Sequence, residues 1–231
     1  MPRPACIVMV KAPRAGAVKT RLVPPLSGAQ AAALAACFAR DVVSNLRRVA
    51  PDVVVAYAPR EGRDALERLL PPDGLTWLEQ RGEDLGERLA AATAEAFARG
   101  FGPVVVFGAD SPTLPAAFAE RAFASLAARE SDVAVGPTED GGYYLVGLSR
   151  PAAGLFQNVA WSTPRALRQT LANAARMNLR ASVLPAWYDV DNFDDLLRLR
   201  AEISAGEGAR ERAPATRRWL AAHDEFLSSL T

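Results

Sequence analysis

The sequence predicts an α/β protein in which helices cover both faces of a mostly parallel central sheet, a three-layer α/β/α architecture. Two observations lead to this class. Short, continuously apolar runs alternate along the chain with amphipathic runs of helical length, which is the pattern of parallel strands joined by crossover helices. The chain also has 231 residues, of which 50% are hydrophobic, enough for one large domain with a substantial core.

The elements follow from these runs in order. Ser27 and Gln30 have the spacing of a capping box at the start of the first helix, and Asp84 with Glu87 forms a similar pair at the second. Pro164 suits the first position of the fourth helix. The predicted strands are 5–10, 52–58, 102–110, 132–137, 143–148 and 182–185, and the predicted helices are 27–49, 84–100, 116–129, 163–177 and 191–203.

A C-terminal extension follows the large domain. We expect a domain over residues 1–203, a polar linker over 204–213 and an appended amphipathic helix over 214–231. The apolar residues of that helix are Trp219, Leu220, Phe226 and Leu227. We expect it to pack back on the core, and the alternative is a contact in a homodimer.

Composition excludes several classes of partner. The formal net charge is +1, so the chain has no overall field for nucleic acid or an anionic membrane. No apolar run is long enough to span a bilayer. Cys6 and Cys37 lack the spacing of metal ligands, which favours buried free thiols in a reducing compartment. We therefore expect a cytoplasmic protein.

The one histidine, His223, lies in the C-terminal extension. A nucleophilic serine or cysteine would therefore have no histidine base within the predicted domain. This leaves metal-assisted group transfer from an activated phosphate compound as the favoured chemistry, since positioning and charge neutralisation supply most of its barrier lowering.

The loop after the first strand is basic. It contains both lysines of the chain, Lys11 and Lys19, together with Arg14 and Arg21. It is not a Walker A loop, because its sequence has Pro13 and Val18 where that motif needs glycines, and with Gly16 alone it is not a dinucleotide fingerprint either. The four cations can hold phosphates by charge and by fork geometry. The alternative is a solvated basic turn.

Three aspartates follow other predicted strands, at the edge where ligands bind in such sheets. Asp110 ends the third predicted strand, and Asp191 follows the last. A hard cation such as Mg²⁺ takes one or two carboxylates plus phosphate oxygens, so these two predict a metal site. The alternatives are an Asx turn at Asp110 and a helix cap formed by Asp191 with Asp194.

The third aspartate, Asp140, precedes Gly141 and Gly142. Paired glycines let a second substrate approach the backbone, and Asp140 could orient or deprotonate its hydroxyl. The alternative is an ordinary Asp-Gly hairpin turn. Asp140 and Lys19 are our two catalytic candidates.

Several motifs together resemble one family. In chain order they are "KAPRAGAVKTRL", "QRGEDLGERL", "GADSPTLP", "EDGGYYLVGL", "WST" and "DVDNFDDL". Over residues 6–203 the chain resembles a glycosyltransferase-A-like family of unknown function, with the nucleotide-diphospho-sugar transferase fold. Its members are named selenodomain-associated transferases or arsenosugar-biosynthesis glycosyltransferases.

The resemblance implies a role for each motif. The loop from Lys11 to Arg21, including Gly16, would embrace the phosphates of a nucleotide. Asp110 and Asp191 would bind Mg²⁺ or Mn²⁺. The segment 80–84, with Gln80, Gly82 and Asp84, would lie near the nucleotide. Gly141 and Gly142 would lie near the acceptor, and Trp161, Ser162 and Thr163 would line the same cleft.

Two departures separate the chain from the wider superfamily. Its nucleotidyltransferases, which include molybdenum-cofactor guanylyltransferase-like enzymes, typically begin with a Gly-Gly-x-Gly loop, and here that position reads Lys-Ala-Pro-Arg-Ala-Gly. Its glycosyltransferases typically carry Asp-x-Asp, and here Asp110 is followed by Ser111 and Pro112.

We therefore expect a metal-dependent transferase that takes a nucleotide-activated donor and a small acceptor. Glycosyl transfer from a nucleotide-sugar is the first interpretation. Nucleotidyl transfer from a nucleoside triphosphate, with release of pyrophosphate, is the second. A nucleotide-binding module without turnover is the third.

Overall fold

The computed structural model describes residues 2–71 and 73–230. A seven-stranded sheet forms its centre, with strands in the order β3-β2-β1-β4-β6-β5-β7. The outer bounds of the predicted domain and extension, residues 1 and 231, lie outside the described residues. The strands are β1 (Arg3–Lys11), β2 (Asp52–Ala58), β3 (Leu75–Glu79), β4 (Phe101–Gly108), β5 (Val133–Pro137), β6 (Tyr143–Leu148) and β7 (Ala181–Val183).

Helices cover both faces of this sheet, which confirms the three-layer α/β/α prediction. The helices are α1 (Gly28–Leu46), α2 (Arg63–Leu69), α3 (Leu85–Ala98), α4 (Ala116–Ala127), α5 (Ala166–Arg176), α6 (Phe193–Ala205), α7 (Glu207–Arg212), α8 (Pro214–Ala222) and α9 (Asp224–Ser228). Alternate residues of β1 separate the two cores. Val8 packs with α1, α2 and α4, and Ile7 packs with α3 and α5.

Strand β6 is the antiparallel member of the sheet, paired with both β4 and β5. It forms a hairpin with β5, and the turn between them contains Asp140 and Gly141. The Asp-Gly turn considered as an alternative for this segment is therefore present. The hairpin brings the start of β6 to the same edge as the ends of the parallel strands.

The sequence did not predict β3 or α2. Strand β3 is a five-residue edge strand with four half-buried residues, so its sequence mixes apolar and polar side chains and lacks the apolar run of a central strand. Helix α2 has seven residues, which is about two turns. It is therefore too short to show a clear helical period in its sequence.

Two helix starts differ from the predicted ones. Helix α5 begins at Ala166 with Arg165 as its N-cap, and Pro164 lies in the preceding loop rather than in the first helical position. The cap of α6 is Asn192, whose side chain accepts a hydrogen bond from the backbone N–H of Asp195. The helix cap of Asp191 with Asp194, considered as the alternative to a metal site, is therefore not formed. The predicted caps of α1 and α3 are confirmed.

The C-terminal extension is helical almost throughout. The segment expected to be a linker contains α7, and the single expected helix is two, α8 and α9. Gly206 separates α6 from α7, and Pro214 opens α8, a position where its missing N–H costs nothing. Trp219, Leu220 and Leu227 are buried against α1 and α6 in a third core.

Asp41 anchors this extension. It lies on α1, is 1% exposed, and accepts hydrogen bonds from the backbone N–H groups of Ala215 and Thr216 and from the Thr216 hydroxyl, at 2.7–2.9 Å. Burial raises the pKa of the Asp41 carboxyl, and the bonds from Thr216 and Ala215 partly oppose the rise. A side chain of α1 thus supplies the N-terminal hydrogen bonds that α8 lacks from its own cap residue.

We predict that Asp41→Ala lowers the free energy of unfolding by about 1–3 kcal/mol, because it leaves buried donors without an acceptor. Asp41→Asn, which keeps one acceptor oxygen, should lose less. Urea unfolding followed by circular dichroism measures both. Equal stability of Asp41→Ala and the parent protein would contradict the anchoring role.

Candidate active site

The predicted site residues lie along one edge of the sheet. Lys11 ends β1, Asp110 follows β4, and Asp191 lies in the segment between β7 and α6. The turn with Asp140 lies at the same edge, because β6 runs in the opposite direction. Ligands bind at this edge in open α/β sheets.

Lys19 joins the two aspartates predicted to hold a metal. Its ammonium Nζ is 2.7 Å from Asp110 Oδ1 and 3.1 Å from Asp191 Oδ1. It also donates to the backbone carbonyl of Val190 at 2.6 Å. The Lys19 side chain is 6% exposed, whereas those of Asp110 and Asp191 are 45% and 41% exposed. A buried cation therefore lies behind two carboxylates that face the solvent.

The environment of Lys19 favours the protonated, positively charged form of its side chain. Burial disfavours the ammonium, but the charges of Asp110 and Asp191 and the hydrogen bonds to them outweigh burial, and the pKa of Lys19 lies above its ordinary value. The ammonium group therefore stays protonated.

The loop aims Lys19 inward at a backbone cost. Lys19 has φ 49° and ψ 39°, in the left-handed region, which is unfavourable for a side chain with a Cβ. The turn of 3-10 helix over Thr20–Leu22 follows directly, and Leu22 is fully buried in the third core. Burial of Leu22 holds the turn, and the turn directs Lys19 toward the carboxylates.

Backbone contacts align the aspartates. The N–H of Val190 donates to the carbonyl of Asp110 at 3.0 Å, which brings the segment after β7 beside the end of β4. Asp195, in the first turn of α6, accepts from the N–H groups of Asp191 and Asn192 at 2.9 and 3.0 Å. Asp195 thereby fixes the backbone that carries the Asp191 side chain.

Asp189 is a member of this cluster that the sequence did not single out as a site residue. It accepts from the Ser111 hydroxyl at 2.5 Å. Burial, followed by the charge of Asp110, raises the pKa of Asp189 from 3.8 to about 7. The spacing of Asp189 and Asp191 along the chain, two positions apart, is the signal that could have indicated it.

The oxygen atoms of this cluster fit a hard divalent ion. Asp110 and Asp191 each direct Oδ1 at Lys19, and both side chains keep exposed surface. Carboxylate oxygens are the ligands that Mg²⁺ and Mn²⁺ prefer. Among the described residues, no group of three or more His, Cys, Asp or Glu side chains could hold a metal ion alone. Such an ion would need further ligands from substrate phosphates or water.

The other basic residues of the loop do not converge on this point. Arg21 Nη1 is 3.9 Å from Asp191 Oδ2, at the rim of the cluster. Arg14 pairs instead with Glu61 at 3.2 Å, and Lys11 is exposed at the end of β1. Gly16 has φ 77°, the conformation that lets the loop turn back toward α1. Lys11, Arg14 and Arg21 therefore form an open basic rim beside the carboxylates and do not enclose a phosphate-sized space.

Gln80, Gly82 and Asp84 shape the edge beside β1 and β2. The Gln80 amide donates to the backbone carbonyl of Ala56 at 2.7 Å and to that of Val10 at 3.4 Å. Because both partners are acceptors, the orientation of this amide is determined and its Oε1 points away from them. Asp84 caps α3, and Gly82 has φ 129°. Asp84 and Gly82 thus build the loop, and Gln80 has one acceptor left for a ligand.

The turn predicted for the acceptor is held by its own side chains. Asp140 Oδ1 accepts from the Thr138 hydroxyl at 2.5 Å and from the N–H of Gly142 at 3.1 Å. Gly141 has φ 87°, and a Cβ there would lie 2.5 Å from the Pro164 carbonyl oxygen. Gly141 therefore needs to be glycine both for its conformation and for this contact.

That contact brings the segment of Trp161, Ser162 and Thr163 next to the Asp140 turn. The Thr163 hydroxyl donates to the Ala160 carbonyl at 2.7 Å, and Ser162 is exposed with φ 58°. Trp161 packs edge-on against Tyr143, with ring centroids 6.1 Å apart. On its other side it meets Gly86 near the start of α3, where a Cβ would lie 2.7 Å from Trp161 Nε1 and 2.6 Å from the Phe156 carbonyl oxygen.

Arg198 is a further positioning residue that the sequence did not indicate. From α6 it makes two bonds to the Glu139 carboxylate, at 2.7 and 2.9 Å, and it lies 4.0 Å from the ring centroid of Tyr188. Helix α6 thereby holds the Asp140 turn through Arg198 and the Asp191 segment through Asp195. The sequence around Arg198 looks like that of any exposed helical arginine, because its partner Glu139 is 59 residues away along the chain.

We predict that Gly86→Ala destabilises the protein by about 1–3 kcal/mol, because its Cβ would overlap a backbone oxygen and the Trp161 ring. Gly208→Ala is the matched control: Gly208 is also the second residue of a helix, but its Cβ would meet only the flexible end of Arg212, at 3.0 Å. We expect the control to be neutral or stabilising by up to about 1 kcal/mol. Urea unfolding distinguishes them, and equal effects would contradict the close contact of α3 with Trp161.

Several solved structures are similar to this chain. A protein from Desulfovibrio desulfuricans G20, provisionally named a nucleotide-diphospho-sugar transferase, is 30% identical, with a TM-score of 0.81 over 95% of this chain and 99% of that one. Rv0371c from Mycobacterium tuberculosis H37Rv is 19% identical, with a TM-score of 0.54 over 86% of this chain and 97% of that one. Rv0371c has also been solved in complex with manganese.

More distant enzymes share the fold. A CMP:2-keto-3-deoxy-manno-octonic acid synthetase complexed with CTP is 12% identical, with a TM-score of 0.58 over 87% of this chain and 98% of that one. No curated protein gave a match. Over residues 2–71 and 73–230, no helix is both long and apolar enough to cross a membrane. The Desulfovibrio structure places the chain among enzymes of the transferase type, and all of these neighbours confirm its nucleotide-diphospho-sugar transferase fold.

Residues 42–163 match the family described as uncharacterized proteins conserved in bacteria, DUF2064. That match includes the end of β4, the Asp140 turn and the Trp161 segment. The Desulfovibrio structure is similar over nearly the whole chain, in agreement with the resemblance that the sequence motifs indicated. The family match shows that this protein belongs to the DUF2064 family.

Proposed function

We propose that the protein is a metal-dependent transferase that moves a glycosyl group from a nucleotide-sugar to the hydroxyl of a small acceptor. The observation that carries this proposal is the convergence of Asp110, Asp191 and the Lys19 ammonium at the ligand-binding edge of the sheet. Two carboxylates for a metal, with a further cation beside them, are what a departing diphosphate requires.

Asp110 and Asp191 would hold the metal ion, Mg²⁺ or Mn²⁺. When bound, the ion would neutralise the negative charge that develops on the diphosphate leaving group. Crystallisation of the neighbour Rv0371c with manganese supports a divalent metal. The absence of a third suitable protein ligand among the described residues agrees with a site that substrate phosphates complete.

The basic rim would bind the nucleotide. Lys11, Arg14 and Arg21 lie on the loop that borders the two carboxylates and can contact phosphate oxygens in the open rim. The free Oε1 of Gln80 can accept a hydrogen bond from the nucleoside. The complex of a similar synthetase with CTP supports a nucleotide as the ligand.

The acceptor would lie against the Asp140 turn. The Asp140 carboxylate is exposed and uses Oδ1 to hold the turn, so Oδ2 can accept the proton of the attacking hydroxyl. Gly141 and Gly142 present backbone there, and the segment from Trp161 to Thr163 closes the same side. The hydroxyl oxygen would then form the new bond to the anomeric carbon as the nucleoside diphosphate leaves.

Nucleotidyl transfer is the second candidate, and the Lys19 ammonium is the observation that favours it. An acceptor phosphate that attacks the α-phosphorus of a triphosphate builds negative charge there, which an ammonium beside a metal stabilises. Pyrophosphate would then be released. The two reactions differ in their products, so that a product assay separates them.

The first experiment is thermal unfolding against a panel of nucleotide-sugars and nucleoside triphosphates, each with and without Mn²⁺. A ligand at about 100 times its Kd adds about 2.7 kcal/mol of stability, which is a rise in Tm of roughly 5–10 °C for a chain of this size. A Mn²⁺-dependent rise with one nucleotide-sugar supports glycosyl transfer, and one with a triphosphate alone supports the second candidate. No rise with any ligand would refute the proposed function.

We predict that Asp110→Asn abolishes the Mn²⁺-dependent part of this rise, because it removes one of two metal carboxylates. Asp52→Asn is the matched control: Asp52 pairs with Arg3 at 3.6 Å at the opposite edge of the sheet, and its loss should leave the rise intact. The measurement is the difference in Tm with and without Mn²⁺ at a fixed nucleotide concentration. Retention of the full rise in Asp110→Asn would remove Asp110 from the metal site.

A further inference from the structure

The cation position of the candidate site is already filled by the protein itself. The Lys19 ammonium has three donors, and three oxygens lie within 3.1 Å of it: the Val190 carbonyl, Asp110 Oδ1 and Asp191 Oδ1. Its hydrogen-bonding capacity is therefore used in full. The side chain is 6% exposed and lies over the Phe38 ring, 5.7 Å from its centroid. Lys19 is held in place and is not a mobile surface lysine.

The charges of Asp110 and Asp191 balance those of Lys19 and Arg21 without a metal ion. Asp110 and Asp191 carry two negative charges, and Lys19 supplies one positive charge between them. Arg21 approaches Asp191 Oδ2 at 3.9 Å and supplies a second. A free divalent ion would meet a pair of carboxylates that is already neutralised, so that its attraction to the site is weak.

A nucleotide would change this balance. Its diphosphate brings negative charge to the basic rim beside Lys19 and offers the ammonium an alternative anionic partner. It also brings the oxygen ligands that a metal ion needs beyond two carboxylates. Metal and diphosphate would therefore each favour the binding of the other.

We propose that Lys19 acts as a built-in counterion for Asp110 and Asp191 in the ligand-free protein, so that the substrate entering the site is the metal–diphosphate complex and not the free metal followed by the nucleotide. This inference rests on the proposed function, since it takes Asp110 and Asp191 as the metal ligands. It assigns Lys19 two partners in turn, the carboxylates first and the phosphates afterwards.

The left-handed backbone of Lys19 is consistent with this role. A lysine with φ 49° is held there against its intrinsic preference, a situation that recurs at residues which change partners. The ion pairs to Asp110 and Asp191 stabilise the conformation before substrate binds. Loss of these pairs to a diphosphate would release the side chain without unfolding the turn, because buried Leu22 continues to hold it.

The test measures binding of Mn²⁺ alone to the full chain, by electron paramagnetic resonance of the free ion. Lys19→Met removes the internal cation and leaves the carboxylates uncompensated. We expect it to bind Mn²⁺ at least tenfold more tightly than the parent protein. Arg121→Met is the matched control, because it removes one positive charge from an exposed position on α4; its affinity should equal that of the parent.

Two further variants keep the test decisive. Lys19→Gly removes the same charge and suits the left-handed backbone, so that it gives the same answer if Lys19→Met does not fold. In the double variant Lys19→Met with Asp110→Asn, the gain in affinity should disappear, which identifies the carboxylate pair as the place where the ion binds.

Equal or weaker Mn²⁺ binding by both Lys19 variants would overturn the inference, because Lys19 would then not compete with the metal. The proposed function would survive that result if the nucleotide-dependent rise in Tm of the parent protein is present. If neither the parent nor the variants bind Mn²⁺, the inference is overturned together with the metal site. The thermal unfolding with nucleotides then tests by itself whether the protein binds a transferase substrate.

Discussion

The ion pairs of one buried ammonium with two carboxylates organise this molecule's functional edge. Asp110 comes from the end of β4 and Asp191 from the segment after β7, and Lys19 comes from the loop after β1. Unit charges about 4 Å apart interact by about 4 kcal/mol at an effective dielectric constant of 20. Two adjacent carboxylates repel each other, and the Lys19 ammonium between them offsets this repulsion and links the three segments.

Helix α6 supports both sides of this edge. Its first turn orients the Asp191 segment through Asp195, and its second turn holds the Asp140 turn through Arg198 and Glu139. Further along, Glu202 accepts from the hydroxyls of Tyr188 and Thr113. The metal side and the acceptor side of the candidate site are thus attached to one rigid element, a favourable arrangement for keeping two substrates in register.

The C-terminal helices contribute to the same rigidity. Helix α8 packs on α1 through the buried Asp41 contacts, and Leu227 of α9 is buried with residues of α1 and α6. The extension therefore covers the outer face of the helices that carry the site. Leu22, which holds the turn after Lys19, lies in the same core as Leu227, so that packing far from the substrate edge also bears on the position of the ammonium.

The sequence by itself determined the layer architecture, the central strands and the caps of α1 and α3. Apolar runs and capping residues are local signals. They predict the structure correctly where tertiary packing favours the same local conformation. It also indicated most of the edge residues, because polar motifs directly after buried strands must lie at one side of a parallel sheet. Edge strand β3 and short helix α2 were missed because neither has a long enough pattern.

Only the tertiary structure decided how those edge residues are used. The ion pairs Lys19–Asp110 and Lys19–Asp191 join residues 91 and 172 positions apart along the chain. No local pattern states that an ammonium predicted to bind phosphate lies between two carboxylates predicted to bind metal. The roles of Asp189 and Arg198 depend likewise on burial and on contacts between distant segments. Which charges neutralise one another is a property of spatial arrangement, since Coulomb energy depends on separation in space and on solvent exclusion, and neither is written in the order of residues.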